Sequence, residues 1–182
     1  MNYENGKKLT MLGFGLSLLI SVAFLVIDVL SLSASVDVLN LSVSVITTLL
    51  NYGQKLFIGT VAVGFLLMWM TEKKPLDLVS SVATGISAIL GFLNVLGIIN
   101  IGDIVLSALF SAFYIVLAVR AKNFNIALTL LLVCAFIYRL FFRGFMYLLL
   151  DWGISELLLI IILNLGFVVC DGFCLAEVKT ED

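Results

Sequence analysis

Ten Lys and Arg residues punctuate this 182-residue chain, and their positions among its apolar runs constrain the fold more than any other feature. As the runs alternate, Lys7, Lys8, Lys73, Lys74, Arg120, Lys122 and Lys179 fall on the side that also holds the N-terminus. Lys55, Arg139 and Arg143 do not. An excess of positive charge marks the cytoplasmic segments of membrane proteins. The pattern therefore predicts a multi-pass protein with both termini in the cytoplasm.

Composition supports lipid as the solvent. The chain is 63% hydrophobic and 12% charged, with a mean hydropathy of +1.24, against the roughly 45–50% apolar content of soluble domains. The excess comes in long runs, without the period of a half-buried strand or a heptad. About 20 apolar residues at 1.5 Å each cross a hydrocarbon core of roughly 30 Å. Six helical spans are expected, at approximately 9–30, 50–70, 76–99, 101–119, 124–142 and 154–175, forming one all-α transmembrane domain. The second is short if it begins after Lys55, so it is expected to start near Val45 with Lys55 snorkelling outward. No room remains for a soluble catalytic domain, and nothing points to a nucleic-acid partner. The expected location is a prokaryotic plasma or inner membrane.

Two segments have a rival reading. The Lys pair, apolar stretch and small residues of Ser31-Leu32-Ser33-Ala34-Ser35 resemble a signal peptide, but the stretch is longer than a signal core and the charge pattern works with it retained. The external stretch at about 31–48 alternates Leu32, Ala34, Val36 and Val38 with Ser33, Ser35 and Asp37, then resumes after a slip at Leu39. That is a strand period. A small external hairpin, or an interfacial stretch running into an early second helix, are the two expectations; an unpaired strand edge must lie in water or pair with another copy.

Small residues mark helix packing. Ser17 with Ser21, and Ser107 with Ser111, are spaced so that backbones can approach closely. The third span carries the longest such face, Ser80, Thr84, Ser87, Ala88 and Gly91, with Asn94 a turn further on. The alternative is a polar wall along a solute path, for which Asn164 in the sixth span is the candidate facing partner. The likeness of residues 16–21 to 106–111 covers one helix of each half, and is too slight to establish an inverted repeat.

Ionisable residues within spans are costly, at about 2.5–3.5 kcal/mol on insertion scales, and so attract functional attention. Arg139 and Arg143 are spaced i and i+4 on one helix face, near the expected external end of the fifth span. At that level also fall Asp28, Asp103, Asp151 and Glu156. Either an ion-pair network or a pocket for an anion or lipid headgroup would use these residues, since paired guanidiniums suit phosphate and carboxylate. A proton relay is the third use.

Other chemistry is weakly represented. Cys170 and Cys174 flank Asp171 with helical spacing, without the separation of a redox pair, and read as small apolar packing. The chain has no His, which removes histidine bases and histidine metal ligands. There is no phosphate-binding loop, because Gly13 and Gly15 lie inside the first helix. No catalytic residues, metal or cofactor are expected. The first functional expectation is a non-catalytic membrane subunit, sensor or scaffold that forms a homo-oligomer and presents short loops to a soluble cytoplasmic partner, in an envelope-sensing, immunity or defence role. A small-solute transporter, with an anion as one candidate cargo, or its substrate-binding subunit, is the alternative; an oligomeric pore is the second. The single Pro, Pro75, lies in a turn, so broken transporter-type helices are not expected.

Overall fold

The computed structural model describes residues 3–33, 40–99 and 103–181. Six helices follow one another: α1 (Tyr3–Ser33), α2 (Asn40–Glu72), α3 (Pro75–Val95), α4 (Asp103–Ala121), α5 (Ile126–Asp151) and α6 (Glu156–Thr180). Among the described residues there is no strand. In lipid a helix satisfies its own backbone, and that is what these apolar runs do. By length and composition α1, α2, α3 and α6 can each cross a membrane, whereas the apolar stretches described in α4 and α5 are shorter, Ser111–Ala121 and Ile126–Phe142. Large apolar side chains such as Leu19, Leu49, Ile89, Ile126 and Leu130 cover the outside. The molecule is an all-helical membrane protein.

Successive helices run antiparallel and each packs on the next, while α6 returns to α1 and also touches α4. The result is a closed ring. Both termini lie at one end, here the near end, together with the α2–α3 and α4–α5 turns. The turns explain the tight connections. Lys73 takes a left-handed φ of 58° and its N–H donates to Trp69 O at 2.7 Å, ending α2; Pro75 then opens α3 at a position that needs no N–H donor. At the far end, Gly97 (φ 71°) and Gly153 (φ 80°) close α3 and α5. In each case the following Ile donates five residues back, Ile98 to Leu93 and Ile154 to Leu149, the Schellman arrangement that favours glycine.

Two expectations about the second span change. The helix begins at Asn40, so the second half of the alternating segment is helical. Period two over so few Ser, Leu and Val residues does not outweigh a continuous hydrogen-bonded helix in an apolar solvent. The segment's first residues, 31–33, end α1, and residues 34–39 lie outside the described residues. Lys55 consequently sits deep within α2, sixteen residues into the helix.

The closest packing joins α1 to α2, and glycine makes it. A Cβ on Gly64 would fall 2.7 Å from Thr10 N, one on Gly13 would lie 2.8 Å from Phe57 O, and one on Gly6 would lie 2.8 Å from Gly64 O. The core beside this seam contains Phe14, Val61, Phe65, Met68, Tyr114, Leu117, Leu132, Cys174 and Val178. It fills the near-end half of the bundle.

Candidate functional site

Two polar layers interrupt that core. The first lies at mid-bundle around Asp171 in α6. Its carboxylate is 15 residues from Glu156 and nine from Thr180, about 22 and 14 Å from the helix ends. Ser21 donates to Asp171 Oδ2 at 2.6 Å and Ser17 at 3.3 Å, so the small-residue pair on α1 serves as the carboxylate's hydrogen-bond partner. Ser17, Ser21 and Asp171 are all buried. Gly13, one turn before Ser17, permits the close α1–α2 approach.

Arg139 faces the same layer. It is the middle residue of α5, 13 positions from Ile126 and 12 from Asp151, and hence about 18 Å along the helix from that acid. The expected partners Asp151 and Glu156 stand at the α5–α6 end, away from it. Instead Arg139 Nη1 donates to Tyr114 OH at 3.3 Å, and its guanidinium lies 4.6 Å from the centre of the Phe167 ring, in cation–π range. Asp151 and Glu156 are exposed at the α5–α6 turn. Asp28 accepts a hydrogen bond from Asn164, so Asn164 faces α1. The side chains of Arg143, Asp103 and Ser107 lie outside the described residues.

Between these groups is a chamber of about 20 Å³ to which every helix contributes: Ser17 from α1, Gln54 and Lys55 from α2, Thr84 from α3, Tyr114 from α4, Arg139 from α5 and Asp171 from α6. It has room for a water-sized occupant. Two cationic side chains and one carboxylate line it. Of the polar face on α3, only Thr84 reaches this chamber; Ser80 and Thr84 donate back along their own helix, while Ser87 and Gly91 are buried, Asn94 is half-buried, and Ser111 is buried in α4. The neighbouring Ser81 crosses to α2, donating to Ala62 O at 2.8 Å.

The second layer closes the near end. Arg120, at the last turn of α4, is 2% exposed. It donates through Nε to Glu177 Oε1 at 2.9 Å and through its two terminal nitrogens to Asp77 and Glu181. The ring of Phe65 stacks 4.6 Å from the guanidinium. Tyr3 OH donates to Glu181 Oε1 at 3.1 Å, and Lys7 donates to Glu181 O. Lys74 stands at the rim, paired with Glu72 at 2.8 Å; that hydrogen bond raises its pKa above the ordinary lysine value. A vestibule of about 340 Å³ adjoins the layer, lined by Lys74, Asp77, Arg120, Asn123, Phe124 and Glu181.

Lys55, Arg120, Asp77, Glu177 and Glu181 do not stand out as site residues in the sequence, and Asp171 enters there only as the neighbour of Cys170 and Cys174. Asp171 had the clearest signal, as an acid within an apolar helix; the others stand at the ends of apolar runs, where charges normally meet water. Cys170 and Cys174 are buried and Cys134 is exposed, all as free thiols. Among the described residues no group of three or more acids and cysteines is arranged to hold a metal ion.

No family model, curated protein or solved structure matches this chain. The fold and the two buried layers are therefore the basis on which its class rests: a membrane protein with ionisable groups sequestered inside a helical ring.

Proposed function

We propose that the protein is a six-span plasma-membrane protein, with both termini in the cytoplasm, that passes a small anion through the mid-bundle chamber. The observation that carries this reading is the convergence of all six helices on a water-sized space lined by Lys55, Arg139 and Asp171. Ionisable residues at such depth are expensive and mark ion pathways. Cations outnumber carboxylates here, so an anion is the complementary occupant, and the volume limits it to about the size of a halide or water. A scaffold or sensor that assembles with itself and a cytoplasmic partner needs no such chamber, and an ion-handling role accounts for it more directly.

The test is chloride efflux from vesicles loaded with potassium chloride and reconstituted with the protein, using a potassium ionophore to carry the counter-charge. The parent protein is expected to release chloride faster than protein-free vesicles, and Arg139→Gln to slow release at least about tenfold, equivalent to some 1.4 kcal/mol of lost stabilisation. A folded parent that releases no chloride, bromide or fluoride would reject this reading. The scaffold reading would then be tested by purification from the native host in mild detergent, where a stoichiometric soluble partner is its expected mark.

A further inference from the structure

We propose that the near-end layer is a proton-binding site, with at least one of Asp77 and Glu177 carrying a resident proton at neutral pH. Three carboxylates surround the single guanidinium of Arg120. The charged and titratable groups facing them are Tyr3 and Lys7 from α1, Lys74 before α3, Asp77 in α3, Arg120 in α4, and Glu177 and Glu181 at the end of α6. Lys74 is engaged by Glu72 and Lys7 donates to a backbone carbonyl. Neither removes the excess of acid. Glu181 has both carboxylate oxygens occupied, by Tyr3 and Arg120, and neutralises the guanidinium.

Asp77 and Glu177 are different. Each gives one oxygen to Arg120, while Asp77 Oδ2 and Glu177 Oε2 are buried without a hydrogen-bond partner. Both side chains have at most 1% exposure. An ionised carboxylate so sequestered, with one oxygen unsatisfied, carries a desolvation cost that neutralisation removes. A metal ion is not the neutralising species, since the acids are not arranged to ligate one. A proton needs no cavity and can occupy the oxygen that Arg120 does not reach. Glu177 lies six residues beyond Asp171 on α6, about 9 Å along the axis, so this proton is held between the vestibule and the mid-bundle chamber. The inference rests on the near-end geometry alone and stands whether or not the chamber handles an anion.

Infrared spectroscopy of the full chain in detergent at neutral pH tests it. The expected result is a protonated-carboxyl band in the parent that is weakened in Asp77→Asn or Glu177→Gln and retained in Asp171→Asn and Asp28→Asn, a buried and a half-buried acid elsewhere in the bundle. Absence of the band from the parent, or its retention in both near-end variants, overturns the proposal. Thermal unfolding provides a second readout, because an amide replaces a neutral carboxyl nearly isosterically. The variant at the protonated position should melt within about 2 °C of the parent, while Glu181→Gln lowers the midpoint by about 5 °C or more. If Asp77→Asn and Glu177→Gln each depress the midpoint as far as Glu181→Gln and leave the band intact, all three acids are ionised and no proton resides there. Should neither near-end variant fold, a parent band that persists in Asp171→Asn and Asp28→Asn supports the site, and its loss in either overturns it.

Discussion

The mid-bundle chamber and the near-end layer use the same ingredients, an arginine, carboxylates and an aromatic ring, in opposite ways. At the near end Arg120 is enclosed by three acids and stacked on Phe65, so all of its guanidinium nitrogens serve internal partners. That arrangement fixes α3, α4 and α6 against one another. At mid-bundle, Asp171 is held by two hydroxyls, Arg139 lies against Tyr114 and Phe167, and a small space separates the elements that carry them. The difference teaches that burial alone does not distinguish a structural charge from a functional one. A filled, many-partnered layer holds a bundle together, whereas a lined space leaves something to be accommodated.

The largest effect should come from breaking the filled layer. Arg120→Gln removes the one cation shared by Asp77, Glu177 and Glu181, and leaves the layer's remaining negative charge without a counter-ion in a dry setting. Loss of one partner from a buried ion pair costs about 3–5 kcal/mol, and the variant is expected to express poorly or to melt about 10 °C lower in detergent. If Arg120→Gln melts with the parent, the layer does not fasten the bundle, and the contrast drawn above fails.

The chamber should respond less in stability and more in selectivity. Asp171→Asn keeps an oxygen that can accept from Ser17 and Ser21, so stability should change by no more than about 1 kcal/mol, near the net worth of one hydrogen bond. It also removes the carboxylate that opposes Lys55 and Arg139. Chloride release in the vesicle assay should therefore rise or become less selective among halides. A collapse in stability comparable to Arg120→Gln would make Asp171 a fastening residue like those at the near end.

Sequence reading recovered the helical membrane class and the scale of the elements, because long apolar runs have no other stable form in lipid. It did not recover which charges meet. Arg139 was drawn toward Asp151 and Glu156 by proximity along the chain and by an early helix end at 142, but α5 continues to Asp151 and leaves Arg139 at its centre. Asp77 and Glu177 lie exactly 100 residues apart in sequence, and only the ring closure of α6 against α1 and α4 brings them to Arg120. Over 40–45 the early second helix, not the strand, is the expectation that holds, for a related reason: short alternation is a local signal, while helix continuity is decided by the solvent around the whole segment. Ser17 and Ser21 were legible as a close-packing pair, yet their role as donors required knowing that α6 places Asp171 opposite them.

The finest comparison lies within that pair. Ser21 approaches Asp171 Oδ2 at 2.6 Å and Ser17 at 3.3 Å, the first within the ordinary range for a strong hydroxyl bond and the second beyond it. Hydrogen bonds to charged groups contribute about 1.5–3 kcal/mol, so Ser21→Ala should cost about 1.5 kcal/mol and Ser17→Ala well under 1 kcal/mol. Both variants keep the close α1–α6 approach, since alanine is no larger than serine, and differences in thermal midpoint therefore report the hydroxyls. Equal losses would mean that the two donors share the carboxylate evenly. A larger loss in Ser17→Ala would show that the chamber, which Ser17 lines and Ser21 does not, places its demand on the more distant hydroxyl, and would shift the centre of the site from the α1–α6 contact toward the space beside Arg139.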